Sequence, residues 1–272
     1  MEGLHGFPSL IKKASLAGAF FVSAIWLLPA HAEVFCPAPS ALERFAVQRV
    51  VDGDTVRLKD GRSIRMIGVN APETGKKGRT DEPFAVAARQ RLQGLVDASG
   101  GHVGVVLGRD SKDHYGRTLA HLYGANGANL EAQLLADGLG FQVAVAPNVD
   151  LVACQQAAER IARQARLGVW RQSPVLKASQ IKQSGFAVVS GQVSKIERNR
   201  GGIWIELQDS LVLRIAPNLA GRFDNALLER LQGQSVEARG WVLDRSRRGG
   251  LKNDQARWLL PLTDPAMLQL AP

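Results

Sequence analysis

The sequence predicts an α+β, mainly β fold built in two successive parts, and three observations predict it. The stretch Val51–Glu73 holds two alternating apolar runs, Thr55-Val56-Arg57-Leu58 and Ser63-Ile64-Arg65-Met66-Ile67, around Lys59-Asp60-Gly61-Arg62. Alternation on either side of an Asp-Gly turn is a β-hairpin signature. From that hairpin to Trp170 the order is strands, helix, strands and two helices, which suits an α+β domain and not a parallel α/β one. Beyond a polar, proline-bearing linker at 173–184, five strand-like runs follow with one helical patch after the third, the element order of a small OB-like β domain over 185–272.

Taken in order, the chain opens on a segment that stands apart from the fold. Lys12 and Lys13 precede an apolar run, Ala14 to Leu28, that ends in Pro29-Ala30-His31-Ala32, the pattern of a signal peptide with an Ala-x-Ala cleavage site over 1–32. As a helix this run would reach only about 22 Å at ~1.5 Å per residue, short of the roughly 30 Å hydrocarbon core. Removal is therefore expected over an uncleaved anchor, with no stable membrane association afterwards and an exported, periplasmic or secreted chain starting at Glu33. The two cysteines, Cys36 and Cys154, both fall in the exported part. An even count in an oxidising compartment favours a disulfide, and the spacing fits neither zinc nor a redox pair.

Leu42 to Val51 reads as the first strand and the hairpin follows it. Thr74 to Asp81 is a glycine-rich basic loop without periodicity. Glu82-Pro83-Phe84 opens a helix through Val96, with Phe84, Ala88, Leu92 and Leu95 at helical spacing. Val103 to Leu107 is a short strand, Asp110 to Gly116 a polar turn, and Arg117 stands at the start of the next strand. Asn129 to Asp137 is a short helix stopped by Gly138, and Asp150 to Arg166 a longer one, ending near a Trp170 expected in the core. After the linker the strands are Phe186–Ile196, Gly202–Leu207, Leu211–Ile215, Ser235–Leu243 and Arg257–Leu262, with helical Ala226–Leu231 between the third and fourth. Trp204, Trp241 and Trp258 fall in these strands, where aromatic residues usually build core; one on an open face could instead stack a nucleobase.

The formal charge of +9 and a pI near 10.0 point to a polyanionic partner, nucleic acid or an anionic membrane. Val175–Pro272 holds 14 Lys plus Arg against 9 Asp plus Glu. Arg198 and Arg200 lie between its first two strands, and Arg245, Arg247, Arg248 and Lys252 between its fourth and fifth. In an OB-fold such loops flank the oligonucleotide face, so these residues are candidate substrate contacts. A solvated basic rim is the competing reading.

Asp52-Gly53-Asp54-Thr55-Val56, an arginine in the next strand, the Pro72-Glu73 pair, then Asp113-His114-Tyr115-Gly116-Arg117, Asn129-Leu130 and Leu134 to Leu139 together resemble the staphylococcal-nuclease-like, or thermonuclease, family, over about Phe45 to Trp170. The resemblance implies an OB-fold five-stranded barrel with three helices over 33–172, hydrolysing phosphodiesters of DNA and/or RNA with Ca²⁺. It implies Asp54 as a metal-ligating carboxylate, Arg65 and Arg117 as phosphate-binding arginines, Glu73 as the carboxylate beside the attacking water, and Tyr115 as a substrate-cleft residue. Asp52 and Thr55 support the metal site. The family's second metal carboxylate falls on Asn70 and the following backbone ligand on Ala71, so one negative charge is missing, and weakened or altered metal preference is expected.

The chemistry agrees with the residue types. Attack of water on a phosphodiester requires neutralised phosphoryl oxygens, a positioned water and help for the leaving alkoxide. Arginine forks can hold the oxygens, and a carboxylate can orient or deprotonate the water. The alternative is a non-catalytic nucleic-acid-binding module built on the same fold, motivated by Asn70 and the basic second part; gel shift without cleavage is its signature.

Overall fold

The computed structural model describes residues 35–39, 42–75, 78, 80–208, 210–248 and 255–271. The signal segment 1–32 and Lys252 lie outside the described residues, as do Lys76, Lys77 and Arg79 of the basic loop. Among the described residues no helix is long and apolar enough to cross a membrane.

The first barrel uses β1 (Arg44–Asp52), β2 (Thr55–Leu58), β3 (Ser63–Met66), β5 (His102–Lys112) and β6 (Thr118–Tyr123), closed in the order β1-β2-β3-β6-β5. The β3–β6 pair is parallel and the other pairs are antiparallel. A two-residue β4 (Val69–Asn70) pairs with β7 (Phe141–Gln142) outside the barrel. Three helices pack around it: α1 (Ala85–Asp97), α2 (Leu130–Ala136) and α3 (Val152–Gln164). Side chains of a strand alternate between faces. Val56, Leu58, Ile64 and Met66 therefore fill the core with Leu92, Leu122 and Leu134, while Arg57 and Arg65 point away and stay half-buried.

Two local expectations shift, and the expected disulfide is present. α1 begins at Ala85 and not at Glu82, because Phe84 takes a left-handed φ of 71° and packs against the cluster of Ala162, Val169 and Trp170. β5 runs to Lys112 through residues expected as a turn; the ladder resumes at Lys112↔Thr118 after a register shift, and ladder bonds are made by backbone whatever the side chain. Cys36 and Cys154 are joined, with Cα atoms 5.6 Å apart, so the start of the described chain is tied to α3.

The second barrel uses β9 (Gly185–Asn199), β10 (Gly202–Leu207), β11 (Leu211–Ile215), β12 (Ser235–Asp244) and β13 (Trp258–Leu262). They close as β9-β10-β11-β13-β12 through the β12–β9 pairing, with β11–β13 parallel. The short α4 (Asn225–Arg230) follows β11. Two strands too short to show a period are added: β8 (Val175–Lys177), inside the stretch expected as linker, lies parallel beside β9, and β14 (Leu268–Leu270) lies against β12. Trp258 is in the core of this barrel, among Leu213, Leu260 and Leu262.

The barrels meet along α3 and β12. Glu237 and Arg239, two apart and so on one face of β12, form a buried charge network with α3. Arg239 Nη1 is 2.6 Å from Glu159 Oε2, and Arg163 forks onto Glu237, with Nη1 2.8 Å from Oε1. Burial pushes the Glu237 carboxyl up, but the Arg163 fork and the nearby Arg239 together hold it below the ordinary glutamate range. Thr263 Oγ donates to the Ala144 carbonyl at 2.9 Å, and Ala144 lies within the second barrel's own apolar cluster.

Candidate active site

The site begins at the turn between β1 and β2. Asp52 Oδ1 accepts the Asp54 backbone N–H at 3.2 Å, which closes the turn on itself. Gly53 between them is required by packing: a Cβ there would lie 2.6 Å from the Cβ atoms of both Ala71 and Ala88, so the turn lies directly against α1 and the segment after β4. That approach brings the Ala71 N–H to Asp54 Oδ2 at 2.9 Å, while Thr55 Oγ donates to Asp54 Oδ1 at 3.1 Å.

Arg65 on β3 sits over this carboxylate. Its Nη2 lies 3.0 Å from Asp54 Oδ2 and donates to Asn70 Oδ1 at 3.3 Å, and its Nη1 donates to the Met66 and Val69 carbonyls at 2.7 and 2.8 Å. Asp54 is buried. Burial pushes its carboxyl up to about 6, against the pull of Arg65 and of the Ala71 N–H and with a further push from Asp52 and Glu73. Arg65 and the Ala71 N–H thus offset only part of the effect of burying this carboxylate.

Asp54 Oδ2 and Asn70 Oδ1 converge on one cationic nitrogen, and the Ala71 carbonyl belongs to the same segment. All-oxygen donors of this kind are of the type that suits a hard divalent cation. Among the described residues no group of three or more His, Cys, Asp or Glu forms a metal cluster, so such an ion would rest on few protein charges.

The cleft beside this cluster has a volume of about 760 Å³, and Arg65, Asn70, Glu73, Tyr115 and Arg117 all line it. Glu73 is exposed at its edge, in a loop closed by reciprocal bonds with Glu82 at 2.9 and 3.0 Å. Arg117 is aimed by Asp113, which accepts from Arg117 Nε at 2.7 Å and from its backbone N–H at 2.9 Å. The guanidinium also lies 5.4 Å from the centroid of the Tyr115 ring, itself 73% exposed.

The structure thus brings Asp54, Arg65, Asn70, Ala71, Glu73, Tyr115 and Arg117 together, with Asp52 and Thr55 supporting from the turn. Among the described residues, it does not bring Arg198, Arg200 or Arg245 of the second barrel's basic loops to the cleft. Arg198 donates to Asn225 at 3.0 Å, and Arg245 donates to the Ala256 carbonyl at 3.1 Å and lies 5.8 Å from the Trp204 ring. Neither these nor Arg200 line the cleft; Arg247 and Arg248 fall in a 3-10 turn after β12. Of two further lining residues, Asn148 carries no sequence signal for the role and Trp241 only that of a strand aromatic which could face outward. Asn148 is pinned to the backbone of Asp110 from a loop without periodicity. Trp241 reads locally as one more strand aromatic, yet it reaches the cleft from the second barrel.

The sequence model of the family described as staphylococcal nuclease homologue matches residues 63–172. The thermonuclease of Staphylococcus intermedius is 31% identical over 131 residues, covering 47% of this chain and 76% of its own length. Endonuclease Htp3 of Saprolegnia parasitica is 29% identical over 150 residues, 47% of this chain and 69% of that protein. Endonuclease YhcR of Bacillus subtilis is 30% identical over 154 residues, 52% of this chain but only 13% of its own length.

Proposed function

The chain belongs to the staphylococcal nuclease homologue family, and on that footing we infer that it is an exported, metal-dependent nuclease hydrolysing phosphodiester bonds of DNA and/or RNA. One observation carries the reading: two arginines and an exposed glutamate line one cleft, and one of those arginines, Arg65, is paired with the buried Asp54. Arg117, aimed by Asp113, holds a phosphate oxygen. Arg65 has four of its five N–H groups engaged as the protein stands, so it turns from Asp54 and Asn70 toward the phosphate only when substrate arrives. Glu73 orients the attacking water and takes its proton. Asp54, the Asn70 amide and the Ala71 carbonyl would hold Ca²⁺, which supplies Lewis-acid neutralisation of the phosphoryl oxygens. Export rests on the signal-like segment and is consistent with the Cys36–Cys154 bond.

Plasmid digestion with calcium and with chelator tests the reading. Cleavage should require the metal, and Glu73→Gln should lower the rate ~10²-fold or more. A gel shift without cleavage under every divalent cation tried would replace the enzyme with a binding module. In calcium titrations Asn70→Asp should bind more tightly than the natural chain; equal affinity would remove the lost charge as an explanation of metal use.

A further inference from the structure

The second barrel places one large apolar side chain in the cleft. Along β12 the even positions Val236, Ala238 and Val242 enter the barrel core, and the odd positions face α3 and the first barrel. Glu237 and Arg239 use that face for the buried charge network. Trp241 is the next odd residue and passes beyond the contact into the cleft, where it lines the same space as Arg65, Glu73, Tyr115 and Arg117. Its indole is 38% exposed and does not belong to the second core, unlike Trp258.

The ring is also held in place. Trp241 stands directly across the ladder from Phe186, with ring centroids 5.5 Å apart at 70°. Phe186 packs on Phe141 at 5.2 Å, and Phe141 on buried Trp170 at 5.5 Å. An aromatic chain thus runs from the small buried cluster around Trp170, beside α3 and outside the first barrel, to the cleft wall, ending in a partly exposed indole packed on Phe186. A fixed π-face beside phosphate-binding cations is the arrangement that takes an unstacked base.

Resting on the nuclease reading above, we propose that Trp241 is a substrate-positioning residue: its indole stacks an unstacked nucleobase next to the phosphate held by Arg117, so that the second barrel forms part of the site.

The test measures binding without turnover. A fluorescent single-stranded oligothymidylate and an abasic deoxyribose-phosphate strand of equal length are titrated, in chelator, against the whole protein, Trp241→Ala and Trp241→Phe. Trp241→Ala should weaken oligothymidylate binding about tenfold, Trp241→Phe should restore most of it, and all three should hold the abasic strand equally. Unchanged affinity in Trp241→Ala overturns the proposal, as does an equal loss on the abasic strand, which would mean that the ring only shapes the cleft. A wild-type protein that does not prefer the base-bearing strand overturns it as well. The two readings separate cleanly. Loss of base-dependent binding with no calcium-dependent cleavage keeps Trp241 and removes the nuclease; cleavage by a Trp241→Ala variant that binds normally does the reverse.

Discussion

At the scale of single residues, the site depends on a hydrogen atom where any other residue would have a carbon. Gly53 lets the Asp52–Asp54 turn touch Ala71 and Ala88, and that contact sets the Asp54–Ala71 hydrogen bond. Gly53→Ala should cost roughly 1–3 kcal/mol through overpacking and lower cleavage more than thermal stability alone would explain. Unfolding curves and rates on one preparation check this; a fully active, equally stable variant would show that the contact is slack. That Arg65, Glu73 and Arg117 line one cleft, with Asp54 paired to Arg65, accords with what the hairpin residues and the family resemblance led one to expect. Trp241 was legible only as one of three strand tryptophans that could face outward, since its place in the cleft comes from how two barrels dock.

At the scale of elements, β12 and α3 share a network in which removing one partner leaves a charge buried among the rest. Glu237→Gln should therefore cost about 3–5 kcal/mol, readable by urea unfolding near neutral pH. The pH dependence has a definite sign. The Glu237 carboxyl lies below its ordinary 4.5 in the folded state, so its contribution is complete above that value and fades as the pH falls through the lowered one. The gap between wild type and Glu237→Gln should narrow on acidification below about pH 4.5; a gap constant with pH would place the effect in packing. Period-two and helical patterns announced most elements correctly. β4, β7, β8 and β14 escaped because two or three residues cannot display a period.

At the scale of the molecule, the Cys36–Cys154 bond closes a loop of 118 residues around the first barrel. Replacing both cysteines by serine should lower stability by roughly 2–5 kcal/mol, measured by denaturant unfolding, with the cleavage site left intact. No change would mean that the unfolded chain is already compact enough to make the tie redundant. Composition announced two bodies and a basic surface, and the two closed barrels are present. Among the described residues of the basic loops, Arg198, Arg200 and Arg245 do not line the cleft, because net charge describes a surface without saying which part of it faces the chemistry.

α3 carries more of these ties than any other helix. It is joined to the chain start through Cys154, bonds the Ile67 carbonyl through Gln155 at 3.1 Å, and meets the second barrel through Glu159 and Arg163. A helix fastened to that many separate parts cannot fray alone. Its amide hydrogens should exchange with deuterium only when the whole molecule opens, while the cleft-edge loop around Glu73 exchanges in ordinary native fluctuations.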